Sequence, residues 1–163
     1  MLVAIISDIH DNVSNLLCSL CEAEELGCTH LLCTGDVAML STFRTLCEEW
    51  KHGIDIIFGN NEYDLSSFIR LAEQFPRVEH HGHAADISLN NRRVYLTHYP
   101  HIAGKAADSG LYDAVFYGHS HRSEQSLRGR TLLANPGEIA GVRYRPSFAV
   151  YNTSDNTLCH YNI

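Results

Sequence analysis

Two histidines one residue apart, in Gly118-His119-Ser120-His121, can aim two imidazoles into one pocket when they leave a buried strand through a tight glycine turn. Four earlier points carry similar cargo: Asp8-Ile9-His10, Gly35-Asp36, Gly59-Asn60-Asn61-Glu62 and Thr97-His98. Each follows an apolar stretch that reads as a strand. Taken singly, most of these are ordinary turn or cap residues. Their recurrence in one place, after strand after strand, points to a single metal site. The candidate ligands are Asp8, His10, Asp36, Asn60, His98, His119 and His121. All offer oxygen or imidazole nitrogen, and none offers thiolate. That set suits Mn²⁺, Ni²⁺, Fe²⁺, Co²⁺ or Zn²⁺ rather than a structural cysteine zinc site. Seven ligands are too many for one ion with open positions, and fit two divalent ions sharing one carboxylate. Two ions ~3.5–4 Å apart can clamp a phosphoryl group and activate a bound water as nucleophile.

The elements that must hold these residues follow from hydrophobic patterning. Leu2–Ile6 is a continuous apolar run, expected for a strand covered on both faces. A helical pattern over 13–26 follows, closed by Gly27. Strands at His30–Cys33 and 54–58 alternate with helices over 40–50 and 64–74, the last capped by Asp64. This β-α-β-α-β-α rhythm implies parallel strands with right-handed crossovers. The second half reads as a hairpin, Ala84–Leu89 with Arg92–Thr97 around Asn90-Asn91. A short helix or loop over 102–109, a buried strand at 113–117, and two further hairpins complete it: 124–127 with Thr131–Asn135, and 148–152 with 157–161. The expected fold is α/β, a four-layer α-β-β-α sandwich of two mixed sheets flanked by helices, with residues 1–163 as one domain. In such sheets a site forms outside the carboxyl ends of strands, where these candidates lie.

Composition narrows the chemistry further. The formal net charge of −7 disfavours broad nucleic-acid binding, which needs a basic face. It leaves room for a small phosphorylated substrate held mainly by metal. No apolar run approaches the ~20 residues of a membrane span, and Met1 to Ile6 is too short for a signal peptide before Asp8. Six cysteines include Cys18 and Cys21, a C-x2-C pair with no second pair to complete a zinc module. They are expected to be buried or half-buried free thiols, which suits a reducing cytoplasm. A homo-oligomer is left open.

The five blocks, Asp8-Ile9-His10, Gly35-Asp36, Gly59-Asn60-Asn61-Glu62, Thr97-His98 and Gly118-His119-Ser120-His121, together resemble the signature of the calcineurin-like metallophosphoesterases. Asn135-Pro136-Gly137 resembles a further feature of compact members, and the short length resembles the small bacterial and archaeal phosphodiesterases. The resemblance implies a dinuclear site: Asp8, His10, Asp36 and His121 on one ion, Asp36, Asn60, His98 and His119 on the other, Asp36 bridging. It implies hydrolysis of phosphodiesters by a metal-bound hydroxide, with Asp36, Asn61 and His98 as the catalytic set. One position departs. Many members carry histidine after the motif asparagine, to bind phosphate and protonate the leaving group. Asn61 stands here instead, and an amide can donate a hydrogen bond but supplies no proton.

Substrate contacts are assigned to Asn61, Asn12 and Arg122, although Asn12 also reads as the cap of the first helix. Glu62 reads as support for the ligands or the nearby loop. His101 is a candidate replacement acid that reads more readily as an exposed loop residue. Arg143 and Arg145, near Pro146, could touch substrate or a partner, and neither is given a committed role. His80-His81-Gly82-His83 looks metal-like but falls away from the strand-end cluster, and reads as a surface turn. Two other readings compete with a phosphodiesterase. One is a phosphomonoesterase or phosphoprotein phosphatase, disfavoured by Asn61. The other is a binding module like the scaffold subunit of a sorting complex, disfavoured because every ligand position keeps a competent donor.

Overall fold

The computed structural model describes residues 1–163. Eleven strands and four helices run in this order: β1 (Leu2–Ile6), α1 (Val13–Glu25), β2 (His30–Cys33), α2 (Leu40–Glu49), β3 (Gly53–Ile56), α3 (Leu65–Ala72), β4 (Val78–His80), β5 (Ala84–Leu89), β6 (Arg92–Thr97), α4 (Pro100–Asp108), β7 (Ala114–Phe116), β8 (Glu124–Arg128), β9 (Thr131–Asn135), β10 (Ser147–Asn152) and β11 (Thr157–Asn162). They form two mixed sheets, of order β11-β10-β1-β2-β3-β4 and β5-β6-β7-β9-β8. β1 to β4 run parallel, with β10 antiparallel to β1. In the second sheet β6, β7 and β9 are parallel, flanked by antiparallel β5 and β8.

The period-two alternation of a strand explains why β1 is apolar throughout. Ala4 and Ile6 join Leu16, Leu20, Phe43, Leu46 and Phe68 in the core under α1, α2 and α3. Val3 and Ile5 point the other way, into a core between the sheets with Leu96, Phe116, Ala134 and Tyr151. A smaller core joins Ala103 and Ala107 of α4 to Val115, Tyr117 and Leu133. Helices therefore cover both outer faces, and the order of layers is α-β-β-α. The helix starts follow the expected chemistry: Asp64 accepts from Ser67 N–H, and Asn12 accepts from Asn15 N–H. Both residues of the Asn90-Asn91 turn take positive φ, as a tight hairpin of the right twist requires.

Two expectations are corrected. The segment read as a surface turn is partly a strand: β4 pairs with β3, placing Glu79 beside Asp55 and His80 beside Ile56. His81 follows, and its Nε2 lies 2.5 Å from Asp55 Oδ1 while His30 Nε2 lies 2.5 Å from Oδ2. One buried carboxylate between two imidazoles holds this edge, a contact across three separate segments that local pattern does not reveal. Of the short helix or loop expected over 102–109, the helix forms and begins at Pro100, where proline suits the first turn. Of the six free cysteines, Cys18, Cys21 and Cys159 are exposed rather than buried, the first two on the outer side of α1. No helix is long and apolar enough to cross a membrane.

Candidate metal centre

Loops leaving β1, β2 and β3 carry Asp8, His10, Asp36 and Asn60, and loops leaving β6 and β7 carry His98, His119 and His121. The first group comes from one sheet and the second from the other, so the seven side chains meet across the sandwich. They fall into two clusters. In one, Asp8 Oδ1 lies 3.8 Å from His10 Nε2 and 3.4 Å from His121 Nε2. In the other, Asn60 Oδ1 lies 3.1 Å from His98 Nε2 and 2.9 Å from His119 Nδ1, with the two nitrogens 3.3 Å apart. Asp36 stands between: its Oδ2 is 3.6 Å from His10 Nε2 and 3.4 Å from His98 Nε2. Bonds of about 2.1 Å to a common ion, meeting at right to tetrahedral angles, put neighbouring donors about 3.0–3.4 Å apart. The spacings around Asn60, His98, His119 and His121 fall in or near that range, and His10 stands slightly farther from both carboxylates. His10 Nε2 is buried with no hydrogen-bond partner, a costly arrangement for a group that is not a ligand. The two clusters therefore offer donor sets that fit divalent metal.

Neighbouring groups fix which nitrogen each ring presents. The tautomers follow from the hydrogen-bond network. His98 Nδ1–H donates to the Thr34 carbonyl at 2.8 Å, turning Nε2 toward Asp36 and Asn60. His121 Nδ1–H donates to Glu138 Oε2 at 2.7 Å, turning Nε2 toward Asp8. His10 and His121 stack with ring centroids 5.0 Å apart. Asp36 Oδ1 accepts from the backbone of Asn60 and Asn61 at 2.7 and 3.0 Å, and its Oδ2 accepts from the Asn61 amide at 2.7 Å. Burial pushes the Asp36 carboxyl up, but His98 and these amides outweigh it and hold the group well below the usual carboxylate range. Glu62, itself buried, accepts from Val37 N–H at 2.5 Å and Gly59 N–H at 2.9 Å, clipping the Asp36 loop to the Asn60 loop.

The backbone makes unusual concessions here. Asp8, His10, Asp36, His119 and His121 all have φ between +41° and +67°. Left-handed non-glycine residues are uncommon and gather at functional sites. Two glycines admit the close approach of strands and ligands. A Cβ on Gly118 would strike Ser7 Oγ and come within 2.7 Å of Asp8 Oδ2, and one on Gly59 would strike Asp36 Oδ1 and come within 2.6 Å of its backbone nitrogen.

The whole arrangement opens into a cleft of about 400 Å³ lined by His10, Asp36, Asn60, Asn61, His119, His121, Val142 and Arg143. A family model for the calcineurin-like phosphoesterase superfamily domain matches residues 1–156. The chain belongs to that superfamily, whose members are metal-dependent hydrolases. Phosphodiesterase MJ0936 of Methanocaldococcus jannaschii is 26% identical over 146 residues, covering 86% of each chain. A solved structure described as a novel archaeal phosphodiesterase superposes with a TM-score of 0.93 at 22% identity, covering 100% of both chains. The phosphoesterase YfcE of E. coli gives 0.70 at 19% identity over 100% of both chains. Vps29 of Entamoeba histolytica, solved with Zn²⁺, gives 0.70 at 16%, covering 100% of this chain and 98% of the other. These likenesses place this phosphoesterase chain in the same fold.

Not every residue singled out from the sequence lies in the cleft. Asn61 does. Asn12 is turned away: it caps α1, and its amide donates to the Ala140 carbonyl at 2.9 Å. Arg122, one residue past His121, is exposed and lines no part of the cleft. His101 is exposed on α4 and equally outside. Two residues in or behind the cleft carried no assigned role. Glu138, fully buried, supports His121; it follows β9 as the ligands follow their strands, and the same strand-end rule, carried past Asn135-Pro136-Gly137, points to it. Arg143 lines the cleft in place of Arg122, brought there by a loop whose path the sequence does not reveal.

Proposed function

We propose that this phosphoesterase is a dinuclear phosphodiesterase acting on a small phosphorylated substrate. The observation that supports this best is the Asp36 carboxylate, whose Oδ2 faces His10 Nε2 at 3.6 Å on one side and His98 Nε2 at 3.4 Å on the other. One carboxylate serving two clusters is the arrangement a pair of ions requires. Asp8, His10, Asp36 and His121 would hold the first ion, and Asp36, Asn60, His98 and His119 the second. Two divalent ions supply charge for the phosphoryl oxygens and an activated water. Oxygen and imidazole donors favour Mn²⁺ first, with Ni²⁺, Fe²⁺, Co²⁺ and Zn²⁺ as alternatives.

The chain's own groups then set which esters react. Every histidine lining the cleft belongs to a donor cluster. Asn61 is the remaining polar side chain beside Asp36, and can turn its amide to a phosphoryl oxygen but cannot protonate a departing alkoxide. Leaving groups that depart without a protein acid are therefore preferred. The curated relative named as a phosphodiesterase supports a diester over a monoester. Six free thiols fit a reducing compartment such as the cytoplasm.

The deciding experiment is Mn²⁺-dependent hydrolysis of bis-p-nitrophenyl phosphate against p-nitrophenyl phosphate, with Asp36→Asn as control. Diester turnover that exceeds monoester turnover and disappears in the variant is expected. Protein shown to hold two ions, yet turning over neither ester with any of the five metals, would overturn the reading.

A further inference from the structure

We infer that Arg143 is the substrate-anchoring residue of the cleft, gripping the anionic phosphoryl group, and that Glu138 is the positioning residue that fixes its loop relative to the metal ligands. This rests on the phosphoesterase site above and adds a residue from outside its signature blocks. Arg143 is the single cationic side chain among residues otherwise neutral, acidic or committed as imidazole donors. Arg92 and Arg93 are spent on Asp113 and Asp86, and Arg122, free of such a partner, lies outside the cleft. The Arg143 guanidinium pairs with no group of the chain, and its planar fork suits two oxygens of one phosphoryl group.

An exposed arginine is ordinarily a solvated charge on a mobile loop. This one stands on a fixed backbone. Glu138 Oε1 accepts from Arg143 N–H at 2.6 Å and Tyr144 N–H at 2.5 Å, while its Oε2 accepts from His121. A buried carboxylate thus shares its two oxygens between a metal-ligand histidine and the loop that carries the arginine. The segment entering the loop is bonded to the first ligand block, with Ile139 N–H on the Ser7 carbonyl and Ala140 N–H on the Asp8 carbonyl. The amides of Asn12 and Asn15 hold the Ala140 and Ile139 carbonyls from the other side. Beyond the loop, Ser147 N–H returns to the Glu138 carbonyl at 2.9 Å. Fixing the backbone that carries the arginine reduces the loop ordering that binding would otherwise cost. Beside it Val142 leaves 76% of its surface exposed at the cleft wall, an apolar contact for the ester's organic part.

The test is steady-state kinetics on bis-p-nitrophenyl phosphate, with competitive inhibition by inorganic phosphate as a binding readout and metal content measured on each variant. Arg143→Ala is expected to raise KM and the phosphate inhibition constant about tenfold, about 1.4 kcal/mol, with two ions retained and kcat within threefold. Arg143→Lys recovers part of the loss. Arg145→Ala, two residues on and outside the cleft, controls for net charge and leaves both constants unchanged. Glu138→Gln can serve His121 or the loop with its one carbonyl oxygen but not both. Its effect on phosphate inhibition is expected to shrink in the Arg143→Ala background, as coupled residues require. Wild-type turnover with unchanged phosphate inhibition in Arg143→Ala would overturn this inference while leaving the phosphodiesterase intact. Absence of wild-type turnover would instead strike the underlying reading, and phosphate binding to the two-ion protein, followed by calorimetry, still decides Arg143.

Discussion

Glu62→Gln should loosen the two loops that present Asp36 and Asn60. Glu62 is 8% exposed, and each of its side-chain oxygens accepts one backbone N–H, from Val37 at 2.5 Å and from Gly59 at 2.9 Å. Hydrogen bonds to a charged group contribute about 1.5–3 kcal/mol each. Glutamine keeps one accepting oxygen and turns an NH2 toward the other N–H, so one bond is lost and one buried donor is left facing another. A loss of about 2–3 kcal/mol follows. For a chain of 163 residues, at about 2–4 °C per kcal/mol, the melting temperature should fall by roughly 5–10 °C. Urea unfolding of chelator-treated protein measures the loss directly, with an unchanged m-value showing that only stability has moved. Glu48→Gln, on the exposed i,i+4 pair with Arg44, serves as control and should cost under about 0.5 kcal/mol. A Glu62→Gln loss equally small would refute the reasoning, because the loops would then be held by contacts other than this carboxylate.

Gly118→Ala places a methyl group against Ser7 and Asp8, and is expected to reduce bound Mn²⁺ from two ions toward one while far-ultraviolet circular dichroism stays native; full metal content would show that the β7 turn can shift. Asp55→Asn tests the other histidine–carboxylate cluster through pH. Burial raises the Asp55 carboxyl, but the hydrogen bonds of His30 and His81 prevail and bring it down to about 2, whereas His81 is raised by Asp55. The depressed carboxyl contributes stability above its unfolded value of about 3.9 and loses it as pH falls toward 2. The raised histidine contributes below about 6.5 and loses its share as pH rises through its folded value. Wild type should therefore exceed Asp55→Asn by about 2 kcal/mol near pH 5–6, with the gap closing toward pH 2 and narrowing above neutrality. A gap in urea stability that stays constant from pH 2.5 to 8 would falsify this account.

The clustering of the candidate donors was legible because it depends on residue types at strand ends, and strand ends are readable from apolar runs such as Leu2–Ile6 and His30–Cys33. The layered fold followed from the same runs, since a strand apolar on both faces must be covered on both. What stayed hidden depends on long-range contact. β4 has three residues, one apolar, and is a strand through its pairing with β3. Asn12 and Arg122 were assigned to substrate by nearness in sequence to ligands, yet a cap and a turn direct them away. Arg143 comes to the cleft because Glu138, five residues earlier, bonds its backbone and a histidine of another loop at once. Cys18 and Cys21 sit on the exposed side of α1, which their apolar character alone does not disclose.

The left-handed candidate donors also bear on how this protein would change under selection. A side chain at positive φ costs roughly 1 kcal/mol that glycine does not, and Asp8, His10, Asp36, His119 and His121 all stand there. Alanine at such a position removes the donor and keeps the strain, whereas glycine removes both. A library selected for heat resistance alone would drift toward glycine at His10, whose buried Nε2 has no hydrogen-bond partner, and lose hydrolysis as it gained stability, whereas the three hydrogen bonds accepted by Asp36 outweigh its strain. Selection that retains turnover would have to find its thermal gains elsewhere, on the helices and the outer strands.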